Sequence, residues 1–191
     1  QREISVNFLE EAWNKNLINI FSSPITVWEF LTASVILGLI KLAVTMTIML
    51  LVSFVFYQFN VFASYSLYLP FFMINLLIFG ISLGFVINGL ILRFGYNIAE
   101  LTWALVGWVS PFSCIYYPLS AIPLWAQKIA MTLPSTYIFE EMRRLIINHS
   151  VNVNNLLISF GLNLLYLLLS LLFFKWMFES ARENGRLIKL N

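Results

Sequence analysis

Polar side chains recur at helical spacing inside the long apolar stretches of this sequence, and they are its first candidates for chemistry. Ser34, Gly38, Lys41 and Thr45 follow one another at intervals of four, three and four, so they share a helix face. A lysine at the centre of a membrane helix costs about 2.5–3.5 kcal/mol to insert, and such residues usually mark a polar pathway. We therefore take Ser34, Lys41 and Thr45 as pathway candidates, with a snorkelling lysine or a helix-packing seam as the alternatives.

Two asparagines extend the set of pathway candidates. Asn163 lies four residues after Ser159 in the last apolar stretch, a polar seam that favours hydrogen bonding between helices. Asn88 lies one turn after Gly80-Ile-Ser-Leu-Gly84, which matches the G-x-S-x-G motif of serine hydrolases. That motif requires a strand-to-helix turn, whereas this stretch is apolar and helical. Gly80 and Gly84 are therefore predicted to form a close helix-packing face.

The residue types that carry most enzyme chemistry are scarce. The sequence contains no Asp, a single His (His149) and a single Cys (Cys114). These counts exclude a Ser-His-Asp triad, an intramembrane aspartyl protease, a zinc site built on paired histidines and a cysteine-based metal site. The phosphate-binding pattern GxxxxGK[ST] does not occur either, so the chain cannot hold ATP by that route. We predict no catalytic residue and no metal site.

The elements that must position the candidate residues are long apolar helices. Hydrophobic residues make up 60% of the 191 positions and charged residues only 10%, against about 25% charged residues in soluble domains. Four stretches, 27–57, 67–92, 99–117 and 156–177, are long enough to be membrane spans. Prolines interrupt the segment 118–155, which predicts short helices at the membrane surface instead of a span. The predicted fold class is an all-α, polytopic membrane protein.

Residues 1–24 are more polar than the predicted spans. Their apolar side chains recur every three or four positions with charged residues between them, which predicts an amphipathic helix of about three turns. Glu10 and Glu11 belong to its polar face. The helix is too short and too polar to span a bilayer. Its apolar face includes Phe8, Leu9, Trp13, Leu17 and Phe21.

The distribution of basic residues predicts the orientation of the chain. Four spans place both termini on one side, together with seven lysines and arginines, and leave three on the other side. Because cytoplasmic loops carry the excess of positive charge, the amphipathic helix and the tail 178–191 are predicted to be cytoplasmic. The segment 118–155 is then predicted to lie on the outer side of the cell (plasma or inner) membrane. The seven are Arg2, Lys15, Arg93, Lys175, Arg182, Arg186 and Lys189, and the three are Lys128, Arg143 and Arg144.

Two segments carry a family resemblance. Residues 7–38 combine an acidic amphipathic helix, a Ser-Pro element and a Glu-containing start of the next span. Residues 91–144 combine a proline near the outer end of a span with two further proline motifs and a helix rich in acidic and basic residues. In this order and spacing they resemble the permeases of ABC-2 type transporters. The matching residues are Glu10-Glu11, Ser23-Pro24, Trp28-Glu29-Phe30, Pro111, Pro118-Leu119-Ser120, Pro123, Trp125, Leu133-Pro134, Thr136-Tyr137, Glu140 and Arg143-Arg144.

The resemblance implies the membrane subunit of an ABC exporter. ATP and Mg²⁺ would be bound by separate ATPase subunits, with no cofactor on this chain and no nucleic acid as partner. The helix of residues 8–21 would be the coupling helix that docks on the ATPase, and two permease chains, as a homodimer in the bilayer, would enclose the pathway. Such permeases usually have six spans, so this chain is expected to lack the first two. The outer segment would cap the exit with Pro118, Pro123, Trp125, Pro134 and Tyr137.

Two other function classes remain at this stage. One is a membrane scaffold or assembly protein that transports nothing. The other is a membrane enzyme acting on lipid-linked substrates, which needs a cluster of reactive side chains at one membrane face. The helical spacing of the single such cluster lets its members pair with one another, which favours a structural helix. The transported substrate, whether drug, lipid or glycan, stays open. The cluster is Glu140, Glu141, Arg143, Arg144 and His149.

Overall fold

The computed structural model describes residues 26–58, 68–94 and 99–183. These ranges fold into α-helices, one short 3₁₀ helix (Leu119–Ala121) and connecting turns, with no strand among them, which confirms the all-α prediction. The α-helices are α1 (Val27–Tyr57), α2 (Tyr68–Phe94), α3 (Ala99–Phe112), α4 (Leu124–Ala130), α5 (Pro134–Asn148) and α6 (Val153–Glu183).

Three of these helices are long and apolar enough to cross a membrane. They are Leu31–Tyr57 within α1, the whole of α2 and the whole of α6. The shortest of these stretches, at 27 residues, is about 40 Å long at 1.5 Å per residue, more than the hydrocarbon thickness of about 30 Å. Large apolar side chains along α1 and α6 are exposed in the single chain, as lipid-facing surfaces require. The chain is therefore a polytopic membrane protein, as predicted.

The third predicted span, 99–117, is only partly helical. Helix α3 has 14 residues, or about 21 Å, and ends at Phe112, one residue after Pro111. Turns and bends occupy residues 113–117. The four-span topology stays a prediction. The segment 118–155, predicted to contain short helices, does contain the 3₁₀ helix, α4 and α5.

Local chemistry explains where several helices begin and end. At the start of α1, the Thr26 amide donates to the Glu29 carboxylate at 2.7 Å, and the Glu29 amide donates to the Thr26 hydroxyl at 3.3 Å, which is a capping box. The bond from the Thr26 amide lowers the pKa of the Glu29 carboxyl. Pro134 is the first residue of α5, and His149 ends that helix in the left-handed region with φ of 50°. The Asn152 side chain caps α6 by accepting from the Asn154 amide at 3.0 Å.

The helices divide into two compact units. In the first unit, the ring of Phe174 on α6 lies 5.9 Å from that of Trp28 and 6.2 Å from that of Phe85. Gly89 of α2 faces α6, where a β-carbon would be in ordinary van der Waals contact with the Phe173 ring at 3.4 Å. The described part of this unit comprises residues 26–45, 80–94, 99–104 and 168–183.

The second unit contains the remaining described residues, 46–58, 68–79 and 105–167. Its apolar core joins Phe72 of α2 to Ile138 and Leu145 of α5 and to Leu156 of α6. These positions on α5 are seven residues apart, so they share the face that α5 buries. The polar side chains on the other faces of α5 are therefore free to bond the chain segments that precede and follow it.

Candidate functional site

The candidate site is built around the polar faces of α5 in the second unit. Thr136, Glu140 and Arg143 are spaced four and three apart, so they lie on one side of the helix. Glu140 and Arg143 form an ion pair with 2.6 Å between Oε1 and Nη1, and both are partly exposed. All three side chains bond backbone groups of residues 112–119, which comprise the last residue of α3 and the turn after it.

Each of the three bonds satisfies a backbone group that no helix partner serves. The Thr136 hydroxyl donates to the Phe112 carbonyl at 3.0 Å, and Arg143 Nη2 donates to the Cys114 carbonyl at 3.0 Å. The Leu119 amide donates to the Glu140 carboxylate at 2.8 Å. The last carbonyls of a helix have no partner within it, and a buried one would be costly. Helix α5 therefore fixes the end of α3 and the turn that follows.

Two residues of that turn, Cys114 and Tyr117, are fixed by burial and by a hydrogen bond. Cys114 has a positive φ of 55° and is completely buried. Burial raises the pKa of its thiol, and the neighbouring Glu140 carboxylate raises that pKa further. The Tyr117 hydroxyl donates to the carbonyl of Pro111. The turn is thus tied both to α5 and to the last turn of α3.

Glu141 bonds the chain segment that follows α5. Its carboxylate is fully buried and lies 3.1 Å from Arg144 Nη1, and it accepts from the Asn152 amide at 2.7 Å and from the Asn155 side chain at 2.6 Å. Asn152 and Asn155 stand at the start of α6. Adjacent glutamates of α5 therefore bond different parts of the chain: Glu140 the segment before α5, Glu141 the segment after it. We call these two sets of bonds the α5 clamp.

A buried amide cluster joins α2, α5 and α6 in the same unit. Asn163 Nδ2 donates to Asn75 Oδ1 at 2.9 Å and to the Asn75 carbonyl at 3.0 Å. The Ser159 hydroxyl donates to the Pro134 carbonyl at 3.0 Å, at the start of α5. Asn75 Nδ2 donates to the Phe71 carbonyl at 3.0 Å. Asn163, a pathway candidate, is thus occupied in bonding between helices.

The other pathway candidates lie in the first unit and in different environments. Ser34 is buried, whereas Lys41 and Thr45 are exposed in the single chain, and the Thr45 hydroxyl donates to the Lys41 carbonyl at 2.9 Å. Asn88 is fully buried, and neither atom of its amide has a hydrogen-bond partner among the residues that the structure describes. The pathway role of these residues stays a prediction.

The glycine motif of α2 lies within a helix. Gly84 is buried, Gly80 is half-buried, and Ser82 between them is buried. Since Ser82 occupies the interior of α2, the strand-to-helix turn that a hydrolase nucleophile requires is not present there. The packing role of Gly80 and Gly84 stays a prediction.

The outer-gate candidates surround α4 and the start of α5. Pro118 and Pro123 are exposed and flank the 3₁₀ helix, and Pro134 is buried. Trp125 is 65% exposed, with its ring 6.4 Å from that of Phe112. The Tyr137 hydroxyl donates to the Met131 carbonyl at 2.9 Å, which closes the turn between α4 and α5. Their gating role stays a prediction.

The candidate coupling residues lie outside the described residues, as does the tail 184–191. In the part of the chain that the structure describes, no three His, Cys, Asp or Glu side chains come close enough to hold a metal ion. The coupling candidates are Phe8, Leu9, Glu10, Glu11, Trp13, Leu17 and Phe21.

Sequence reasoning missed part of the site. It treated the Glu140–Arg144 region as a self-pairing helix, and the two ion pairs agree with that interpretation. It did not identify Asn75 or the bonds from α5 to the segments on either side. The spacing of Thr136, Glu140 and Arg143 was the available signal, because residues at i, i+4 and i+7 share a helix face.

Comparison with known proteins identifies a family. The family model described as ABC-2 type transporter matches residues 4–147. No curated protein matches the chain. The matched range includes α1–α4 and all of α5 except its last residue, and therefore every α5 residue of the clamp.

Proposed function

The chain belongs to the ABC-2 type transporter family, and from this membership we propose that it is the permease subunit of an ATP-driven exporter whose ATPase is a separate chain. The family match covers about three quarters of the sequence and makes the chain a membrane component of an ABC-type transporter. Export and the partner subunit are the proposed parts. The single observation that carries the proposal is this match over a chain with three membrane-length helices.

The division of labour between two chains follows from what this chain offers. Members of the family act with ABC ATPase subunits in general, and the sequence lacks a P-loop. ATP and Mg²⁺ would therefore be bound by the partner, and closure of two ATPase subunits would move the coupling helices of residues 8–21. A helix with an apolar face of Phe, Leu and Trp suits docking in a groove of that partner. Its Glu10 and Glu11 would be repelled by an anionic lipid surface.

The α5 clamp supports a role in transmitting such motion. Bonds from α5 tie the end of α3 to the start of α6, so these parts of the second unit would move together. In the proposed orientation the clamp and α4 lie on the outer side of the cell membrane. There α4 and the Tyr137 turn would form the outer gate. Two copies of the chain would enclose the pathway about a two-fold axis.

The clamp also weakens the enzyme alternative. The carboxylates of Glu140 and Glu141 accept backbone hydrogen bonds and pair with arginines, and Glu141 is inaccessible to a substrate. The two carboxylates and their arginine partners are therefore used in holding the fold. The scaffold alternative is distinguished by the experiment below.

The test is purification of the tagged protein from its native membranes, followed by measurement of ATP hydrolysis. We expect an ABC ATPase to copurify in one-to-one ratio with this chain and to hydrolyse MgATP. Replacing the P-loop lysine of that ATPase should abolish ATP hydrolysis and export without dissociating the complex. Purification without any P-loop ATPase would contradict the proposal and favour a scaffold.

A further inference from the structure

We propose that Tyr166 holds the turn between α4 and α5 inside the hydrocarbon layer of the membrane, so that its surface is covered by lipid acyl chains. We call residues 131–133 the hairpin turn. The Tyr166 hydroxyl donates to the Thr132 carbonyl at 3.3 Å, and the Tyr166 ring lies 5.9 Å from that of Phe79 on α2, all within the second unit. The inference rests only on α2 and α6 crossing the membrane, not on the proposed function.

The position of Tyr166 along α6 sets a minimum depth for the hairpin turn. Tyr166 lies about 20 Å along the helix axis from Val153, the first residue of α6. The whole helix has 31 residues and is about 46 Å long, which exceeds the hydrocarbon thickness of about 30 Å by about 16 Å. Even if all of this excess protruded at the Val153 end, Tyr166 would lie inside the hydrocarbon layer. A tilt of α6 would place it deeper.

Phe79 gives the same result from α2. It lies about 16 Å along the axis from Tyr68, the first residue of that helix. Helix α2 has 27 residues and is about 40 Å long, so it exceeds the hydrocarbon thickness by only about 10 Å. Two membrane helices therefore place the Tyr166 ring, and the hairpin turn that it bonds, below the membrane surface. The prolines alone predict a position at that surface.

The contacts of α5 along α6 give the direction of the hairpin. Near the start of α6, the Asn155 side chain donates to the Glu141 carboxylate at 2.6 Å. One turn farther along α6, the Ser159 hydroxyl donates to the Pro134 carbonyl at 3.0 Å, and the hairpin turn follows at Tyr166. Helix α5 therefore leads from the membrane interior back to the side on which α6 begins.

The backbone of the hairpin turn is paired as a hydrocarbon environment requires. The carbonyls of residues 131, 132 and 133 accept from the Tyr137 hydroxyl, the Tyr166 hydroxyl and the Thr136 amide. The amides of the same three residues donate to carbonyls of α4. At a membrane surface water would bond such groups, whereas in lipid each unpaired group costs several kcal/mol. The two tyrosines thus supply the donors that water cannot.

The side chains exposed at the hairpin turn also suit lipid. Ile129 and Met131 are apolar and nearly half exposed, and the Thr132 hydroxyl donates to the Ile129 carbonyl at 2.7 Å. Lys128 is exposed one turn earlier, where a lysine side chain can reach the headgroups by snorkelling. Acyl chains are therefore the partner that this surface fits.

The experiment measures the depth of position 131. The Met131→Cys protein, in a Cys114→Ser background, is labelled with bimane and reconstituted in lipid bilayers. Quenching by lipids brominated on their acyl chains is compared with quenching by aqueous iodide. Asn154→Cys serves as the surface reference and Leu165→Cys as the membrane-interior reference, since both positions are exposed on α6. We expect position 131 to behave like position 165. Quenching by iodide as at position 154, or quenching by neither agent, would overturn the proposal.

Tyr166→Phe tests the residue itself, because it keeps the ring and removes the donor to the Thr132 carbonyl. We expect quenching by the brominated lipids at position 131 to fall about twofold, because a carbonyl without a donor draws the turn toward water. Tyr117→Phe is the matched control, since its hydroxyl donates to the Pro111 carbonyl, outside the hairpin turn. It should leave the quenching unchanged. No change with Tyr166→Phe, or an equal fall with Tyr117→Phe, would refute the role of Tyr166. These readouts need no ATPase and no substrate, so their failure would not count against the proposed function.

Discussion

Glu140 and Glu141 are adjacent in sequence but differ in burial and in what they hold. Glu141 is fully buried and accepts bonds from the Asn152 amide and the Asn155 side chain, whereas the side chain of Glu140 is 29% exposed. Removing one partner of a buried, hydrogen-bonded charge leaves polar groups that water cannot reach. Exposed ion pairs contribute much less. The two residues therefore form a matched pair of tests.

We expect Glu141→Ala to lower the free energy of unfolding by about 3 kcal/mol, because it removes a buried carboxylate that accepts two hydrogen bonds and pairs with Arg144. Glu140→Ala, which removes a partly exposed ion pair and one backbone bond, should cost about 1 kcal/mol. The measurement is thermal unfolding of both variants in the same detergent. Equal losses of unfolding free energy in the two variants would show that the bonds of the buried Glu141 stabilise the protein no more than those of Glu140.

Lys41 is the residue on which the predicted pathway depends most. Its side chain is exposed in the single chain, within the membrane-length part of α1. We expect Lys41→Met to keep the protein folded, because it removes a charge from the membrane interior. It should reduce export by the complete transporter, whereas Lys41→Arg, which keeps the charge, should retain more of it. Normal export by Lys41→Met at matched expression would leave Lys41 as a snorkelling residue.

At the level of elements, the predicted coupling helix is the next to test. Its proposed docking on the ATPase can be disturbed by substitutions that are not expected to prevent the protein from folding. Trp13→Asp and Leu17→Asp place a charge on its apolar face, where docking on the ATPase would bury it. We expect both variants to reach the membrane but to lose the dependence of ATP hydrolysis on transport.

Asn14→Asp is the control for these variants, because it adds the same charge to the polar face of the predicted helix. It should couple normally. The measurement is ATP hydrolysis and export by the complete complex at equal expression. Normal coupling by Trp13→Asp and Leu17→Asp would refute the docking assignment.

For the whole molecule, the proposed orientation has cytoplasmic termini and an outer α4–α5 segment. We expect a membrane-impermeant maleimide, added to intact cells, to label Asn154→Cys and not Asn184→Cys. Asn154 is exposed at the start of α6, so access to it depends on the side of the membrane. The native Cys114 is completely buried and its pKa is raised by that burial, so a Cys114→Ser background removes only a slow reaction. Labelling of position 184 alone would invert the orientation.

The sequence alone determined the fold class and the family. Apolar runs of about 30 residues can hide their backbone polar groups in lipid only as helices, so α1, α2 and α6 were predictable within a few residues. Pro118, Pro123 and Pro134 predicted the short elements between α3 and α6, because proline removes a backbone donor and disfavours continuing a helix beyond its first turn. The capping box of Thr26 and Glu29 also has a sequence signature, a threonine followed three residues later by a glutamate.

Only the tertiary structure decided which polar side chains meet. Asn88 and Asn163 are similar in sequence, each an asparagine within an apolar stretch of a helix, yet the amide of Asn163 is bonded to Asn75 and that of Asn88 has no partner among the described residues. Likewise, helical spacing places Glu140 and Glu141 on different faces but does not say which segment each face meets. Periodicity fixes the direction of a side chain about its own helix axis. Its partners depend on which helices pack against that face, and that is set by contacts between residues far apart in the chain.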